Sequence, residues 1–452
     1  MTNANTPSSP WGAPPQIPVA NTDLEAPTDG VMTVDFVGKR GALFWLALKT
    51  GFFTILTLGF YRFWMKTRLR RWYWSAMRPG GHPLEYVGDP IEKLLGFFIA
   101  VVILTFYIGI VNLLLMFVSF SVFNSSWIGY LASFAGVIPI WFYARYRARR
   151  YVLARTRWRG VRFGLEKGAW GYAGRALLYW TLTIVSLGIL WPRMTFLLEK
   201  YKTDRTYFGS AKMEQGGRWQ MLYHAAMPFL SFLILLGATM VWLIVITPIA
   251  ENVPTSFDDF VQQIDMIFEG TSGSLGLENP ARLWLVPVCL FGLLFGAIHY
   301  RWVAKRIMAN HKSADGVTFA SSLNGPRITM IYVLGNFIAY MVLVLGMLLL
   351  LLLSAALYGF DFVLAEQGAE LGALSHWPRW ASLILLGAVY LGVFLMWGVL
   401  HNTFVTFPII RHMALTTTLP TTIGISSISQ RARDEFAEAE GFAEALDLGA
   451  AI

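Results

Sequence analysis

The chain has 452 residues, 56% hydrophobic and only 14% charged, with a mean hydropathy of +0.52. A soluble chain of this length is about a quarter charged, so the composition excludes an ordinary soluble globular protein. The net charge of +9 collects between long apolar runs, where it reports membrane orientation and contact with anionic lipid and not a nucleic-acid partner.

Residues 1–30 hold Pro7, Pro10, Pro14, Pro15, Pro18 and Pro27 among Ser, Asn and Thr, and are predicted to be a disordered tail. They lack the basic and apolar regions of a cleaved signal peptide. Beyond them, apolar runs lie at about 42–60, 94–118, 125–143, 170–191, 225–249, 283–300, 331–358 and 380–408. Several reach the roughly twenty residues that a bilayer-spanning helix needs.

Lys and Arg collect at 62–78, 145–162, 193–218 and 301–312, whereas 251–279 and 359–376 carry Asp and Glu without a base. Eight alternating spans cannot place all four basic segments on one side, because 145–162 and 193–218 flank the single run 170–191. Lys39-Arg40 and 62–78 flank 42–60 in the same way. These two runs are therefore predicted to be re-entrant or interfacial. The other six pair into three transmembrane hairpins, 94–118 with 125–143, 225–249 with 283–300, and 331–358 with 380–408. Lys49 and Arg175, inside the two shallow runs, can snorkel to the interface. Both termini are expected in the cytoplasm.

Short β-prone pieces recur at 34–38, 84–88, 161–165, 206–210, 317–321 and 422–426. A lone five-residue strand leaves its backbone groups unpaired, so they are predicted to pair into a small cytoplasmic sheet or barrel, with isolated turns as the plainer alternative. Thr57-Leu58-Gly59-Phe60 matches Ser186-Leu187-Gly188-Ile189 and, more weakly, Val344-Leu345-Gly346-Met347; Arg149-Arg150 aligns with Lys305-Arg306, and Arg71-Trp72 with Lys200-Tyr201. The expected organisation is a pseudo-threefold repeat, 31–142, 143–298 and 299–428, followed by an acidic tail, 429–452. The predicted class is a mainly α, polytopic membrane protein with a small sheet.

Phe36-Val37-Gly38, Leu56-Thr57-Leu58-Gly59-Phe60-Tyr61, Trp64, Arg68-Leu69-Arg70-Arg71-Trp72 and Tyr86-Val87-Gly88 form a pattern that resembles the YjgN-like family of bacterial inner-membrane proteins, a group with a domain of unknown function. The resemblance covers most of 31–428. It is strongest in the first unit and weakest in the last, where Phe407-Pro408 follows the final run. It implies a location and a fold and supplies no catalytic residues.

Arg62, Lys66 and Arg70 fall at i, i+4 and i+8 beside Trp64, Trp72 and Trp74, and 143–162, with Arg149 and Arg150, has the same chemistry. With Lys305 and Arg306 these are the candidate contacts for anionic headgroups; ordinary positive-inside anchoring is the plainer reading. No Asp or Glu lies well inside the six expected spans, which counts against proton-coupled transport. His401-Asn402 ahead of Phe407-Pro408 is a candidate polar site in the membrane, against simple interhelical hydrogen bonding. Gly292-x-x-x-Gly296 allows two helices to approach, within one hairpin or in a homo-oligomer.

His299 and His311, like His401 and His412, have no nearby carboxylates, and no His-Glu-x-x-His, Gly-x-Ser-x-Gly or P-loop occurs. The single cysteine, Cys289, excludes an intramolecular disulfide and a cysteine metal site. No enzyme activity and no cofactor are expected. The acidic stretch Gln430–Ile452 has apolar residues at helical spacing; it can dock on the protein's own bases, recruit a protein partner, or stay disordered. Two functions are consistent with these residues. One is a transporter or pore for a small or lipid-like solute. The other is an envelope scaffold that presents a basic cytoplasmic face to anionic lipids.

Overall fold

The computed structural model describes residues 30–123, 126–243, 255–268, 283–358, 378–422 and 424–431. The proline-rich tail up to residue 29, the acidic stretch beyond Arg431 and most of the two acidic loops lie outside the described residues.

Ten short strands form one antiparallel sheet. They are β1 (Met32–Phe36), β2 (Met77–Pro79), β3 (Leu84–Tyr86), β4 (Thr156–Trp158), β5 (Val161–Leu165), β6 (Thr206–Phe208), β7 (Ala211–Gln215), β8 (Lys312–Ala314), β9 (Val317–Ser321) and β10 (Thr417–Thr421). The spatial order is β2-β1-β10-β9-β8-β7-β6-β5-β4-β3. Its two end strands, β2 and β3, are consecutive in the chain and joined through Gly80-Gly81-His82-Pro83, so the sheet returns on itself as a barrel-like ring. Strands this short are marginal alone; here each borrows its partners from the next segment of chain. The links Arg159-Gly160 and Asp315-Gly316 take positive φ at both positions, the geometry of two-residue hairpins.

Between the strands run helices. The first pair is α1 (Arg40–Leu56) and α2 (Arg62–Ala76). Next come α3 (Pro90–Phe106), continued through a π-helical turn into α4 (Asn112–Phe123), and α5 (Ser126–Ala154). The third pair is α6 (Ala169–Val185) and α7 (Trp191–Thr203). Then follow α8 (Tyr223–Val241), α9 (Phe257–Phe268) and α10 (Leu285–Ala309). Last are α11 (Gly325–Tyr358), and α12 (Arg379–Leu400) continued by a π-helical turn (His401–Thr406) into α13 (Phe407–Leu415). The order strand, helical excursion, strand thus occurs five times among the described residues, a finer division than the three units read from the sequence. In each case the two flanking strands, β1 with β2, β3 with β4, β5 with β6, β7 with β8 and β9 with β10, pair with each other. Every excursion therefore returns to the place it left.

The excursions α1–α2 and α6–α7 turn back through the same backbone path. Leu58 and Leu187 have φ of 51°, and Gly59 and Gly188 donate to Thr54 and Thr183 at 2.7 and 2.8 Å. The Thr57 hydroxyl accepts from Tyr61 N–H at 2.9 Å, as Ser186 does from Leu190 at 3.1 Å. Gly59 and Gly188 sit at φ near +90°, where a Cβ would be strained. At these tips Leu58 is 90% and Leu187 77% exposed.

Four described helical stretches are long and apolar enough to cross a membrane: Trp219–Val241, Leu285–Ala309, Gly325–Ala356 and Leu383–Leu415. In the apolar window of Gly325–Ala356 only 6% of the residues are buried. A soluble protein does not leave such a surface bare; a hydrocarbon solvent covers it. Of the run 94–118 and its neighbour, Gly109–Val122 forms a shorter apolar helix. Apolar cores lie between neighbouring excursions near the ring. One joins Tyr146, Tyr172, Leu198 and Tyr201, a second Tyr300, Val303, Phe196 and Leu222, and a third Leu43, Tyr73, Val399 and Phe407.

Five of the six β-prone pieces hold a strand. The last does not: β10 is Thr417–Thr421, and Ile425–Ser427 is a 3-10 turn instead. The Thr-Ile-Gly-Ile reading failed because Gly424 turns the chain with a φ of 94°. The true strand was masked by Pro420, which sits at an irregularity in the β9–β10 register, where its missing N–H is tolerated.

Candidate functional site

All ten strands direct at least one side chain into a cavity of about 950 Å³ inside the ring. Alternation along each strand selects them: Met32 and Val34 of β1 are buried while the alternate residues Thr33 and Asp35 are exposed. Apart from Thr417, the strands contribute only apolar groups, among them Trp158, Phe163, Phe208, Met213 and Phe319. The helical end of the cavity is different. It carries Lys66 and Arg70 from α2, Arg301 and Lys305 from α10, and His401, Asn402 and Thr406 from the π-helical turn. No Asp or Glu is among the described residues that line it.

One pattern explains how the cations reach this point. Of the helices that precede the returning strands, α2, α10 and α13 line the cavity and α5 and α7 do not, and four of the five are clamped by one basic side chain to a backbone carbonyl in or just beyond a strand. Arg71 donates to the Gly88 carbonyl at 2.9 Å, Arg150 to Leu165 at 3.0 Å, Lys200 to Gln215 at 2.8 Å and Arg306 to Leu323 at 3.3 Å. The residue just before each clamp is Arg70, Arg149, Glu199 and Lys305. Successive helical residues point about 100° apart, so a clamp and its predecessor serve different surfaces, and on α2 and α10 the predecessor turns inward. Arg70 and Lys305 line the cavity, while Arg149 approaches Glu199. One helical turn earlier, Lys66 and Arg301 line it as well.

Glu199 is the acid of this layer. Lys202 lies 2.7 Å from its carboxylate, Lys312 3.0 Å and Arg149 3.9 Å. Burial by itself would raise the Glu199 carboxyl, but Lys202, Lys312 and Arg149 outweigh it and hold the group well below the ordinary carboxylate range. Burial pushes the Lys202 ammonium down, against the opposing pull of Glu199. On the far side of the ring, Tyr73 is 1% exposed and donates to the Asn402 carbonyl at 3.3 Å; burial raises its phenol.

The structure divides the residues singled out as lipid contacts. Arg62 is exposed, Lys66 half-buried and Arg70 buried at 5% exposure, its guanidinium donating to the Tyr86 hydroxyl at 3.2 Å and lying over the Trp74 and Tyr86 rings. Arg150 is 3% exposed. Arg70 and Arg150 thus face protein and not lipid, because the stripe from Arg62 rotates toward the axis as α2 descends to the ring. Of the aligned pair Lys305-Arg306, the first lines the cavity and the second is a clamp. His401 and Asn402 belong to the same cavity, and Asn402 also donates to Gly398 at 2.8 Å within its own helix. Thr57-Leu58-Gly59 and Ser186-Leu187-Gly188 are turn motifs remote from it. Gly292 and Gly296 act inside one excursion. A Cβ on Gly296 would stand 2.7 Å from the Phe229 backbone, and one on Gly292 would meet the Phe232 ring, so α8 and α10 touch there.

The far mouth of the ring was not foreseen. After β10 the segment 424–431 places Ile425 and Ile428 in the cavity lining. It then reaches β5–β7, where Ser210 N–H donates to Ser429 at 2.9 Å and Arg162 N–H to the Gln430 side chain at 2.9 Å. β10 and the β5–β6 pair stand on opposite sides of the strand order, so this segment straps the opening.

A family model described as a bacterial protein of unknown function, DUF898, matches residues 31–356. The chain belongs to this family. DUF898, the YjgN-like family, thus accounts for the ring from β1 to β9 and the first four excursions. The DUF898 match stops within α11, leaving α12, α13, β10 and the strap beyond it. No curated protein and no solved structure matches the chain.

Proposed function

We propose that this protein is an inner-membrane conduit for an anionic solute, a binding and transport protein and not an enzyme. One observation carries the reading. The cavity inside the ring has four cations at its helical end and, among the described residues, no carboxylate in its lining. Such a lining concentrates anions and repels cations.

In this reading the ring and both termini are cytoplasmic, and the three longer excursions cross the bilayer as hairpins. The excursions α1–α2 and α6–α7 enter the same leaflet and return. Their exposed Leu58 and Leu187 tips and the pairing of β1 with β2 and β5 with β6 support this, since a full crossing would separate those strands. Anionic lipids surround the exposed bases such as Arg62. A cysteine placed near Asp265 in a Cys289→Ser background is expected to react with an impermeant thiol reagent on intact spheroplasts, and one near Arg157 is not; reversed labelling overturns this orientation.

The transport test uses the full chain in liposomes loaded with an anionic or a cationic fluorophore of similar size. Release of the anion above empty liposomes, lowered by Arg301→Gln with Lys305→Gln, is expected. Equal release of both dyes, or of neither, rejects the conduit. The scaffold alternative, a basic face held against anionic lipid, takes its place in the second case.

A further inference from the structure

We infer that the cavity is a binding site for an amphiphile with one acyl chain and an anionic head, a phosphate or a carboxylate. The inference deepens the conduit reading by naming its solute class, but the site stands on its own geometry. The polarity of the wall is split along the axis. Lys305 and Arg301 lie four and eight residues before the ring end of α10 at Ala309, hence roughly 6 and 12 Å above it at 1.5 Å per residue. Arg70 and Lys66 lie six and ten residues before the end of α2 at Ala76, roughly 9 and 15 Å above it. Below this level the ten strands offer Met, Leu, Val, Phe and Trp side chains and one threonine hydroxyl, and Ile425 and Ile428 close the bottom.

A small inorganic anion would use the cations and leave the cup unfilled. A neutral hydrocarbon would fill the cup and leave Arg301 and Lys305 facing hydrocarbon, which is costly. A molecule with both parts satisfies both ends. The volume of about 950 Å³ lies at the upper end of ligand sites, about 300–1,000 Å³, which suits one chain with its headgroup. The head would sit between α2 and α10, where Arg301 and Lys305 supply charge-assisted hydrogen bonds and Asn402 and Thr406 neutral ones.

The test is equilibrium binding to the full chain in lipid nanodiscs, with 11-(dansylamino)undecanoic acid as the fluorescent probe. A blue-shifted, saturable emission is expected. The matching dansyl alcohol should bind about tenfold or more weakly, the loss expected for one charge-assisted contact. Arg301→Gln and Lys305→Gln should each weaken the acid to a similar degree and leave the alcohol unchanged, whereas Lys305→Arg retains the acid. Ala314→Trp, which fills the cup, should abolish the undecanoic probe and spare a dansyl amino acid of three carbons. Millimolar inorganic phosphate should not displace the long-chain probe, whereas lysophosphatidylglycerol should. Equal binding of acid and alcohol overturns the head site, and displacement by phosphate alone overturns the acyl site. Binding without liposome flux refutes only the conduit; anion flux without probe binding refutes only the amphiphile.

Discussion

Replacing Glu199 by Gln keeps the shape of the side chain and removes the carboxylate that faces Lys202, Lys312 and Arg149. Breaking a fully buried ion pair costs about 3–5 kcal/mol, and an exposed one about 0.2–1 kcal/mol. The Glu199, Lys202 and Lys312 side chains are 18%, 20% and 21% exposed, so the expected loss lies between, at about 2–3 kcal/mol. Thermal unfolding of the purified full chain at low ionic strength should register it as a fall in Tm of roughly 2–3 °C. The pH dependence has a definite sign. The folded carboxyl is held below its ordinary value of 4.5, so its contribution is complete above that pH and is lost as pH falls through the folded value. The gap between wild type and Glu199→Gln should be level at neutral pH and narrow in acid. An unchanged Tm at low salt, or a gap that widens in acid, would refute the reasoning.

Two further substitutions test close approaches. Gly296→Leu should force α8 from α10, because its Cβ would already stand 2.7 Å from the Phe229 backbone; overpacking costs typically about 1–3 kcal/mol, and a wild-type melting curve would contradict the contact. Gly209→Ala adds a Cβ against the Ser429 carbonyl and 2.7 Å from Val161, at a φ of +54°. It should lift the strap from β5–β7 and speed tryptic cleavage after Arg431; an unaltered cleavage rate would show that the strap does not rest there.

Much of the helical architecture was legible because hydropathy and charge act over many residues. The returns at Gly59 and Gly188 were announced by two tetrapeptides that share a hydroxyl residue followed by Leu-Gly, and the long apolar runs by their length alone. The ring was legible only in part. Met77-Arg78-Pro79, Thr156-Arg157-Trp158 and Lys312-Ser313-Ala314 are too short to show an alternation, and each is a strand because a neighbour already stands beside it. The strap was hidden for the same reason: Ile425 and Ile428 are apolar in sequence and acquire a role only when the ring closes around them.

The bases carried more than their sum. Counted for orientation, Arg70-Arg71, Arg149-Arg150 and Lys305-Arg306 are equivalent positive charges. On a helix, however, adjacent side chains diverge by about 100° and cannot serve the same surface. The second member of each pair holds a backbone carbonyl in or just beyond a strand, which fixes the rotation of its helix; on α2 and α10 this commits the first member to the cavity, whereas Arg149 approaches Glu199. Lys200 holds the Gln215 carbonyl in the same way, but Glu199 before it stays outside the cavity lining and pairs with Lys202 and Lys312. The clamp is therefore what turns a positive-inside signal into a charged cavity: without Arg71 or Arg306 the inward cation would be free to swing to solvent, and the polar end of the site would lose the arrangement that distinguishes it from an ordinary basic membrane surface.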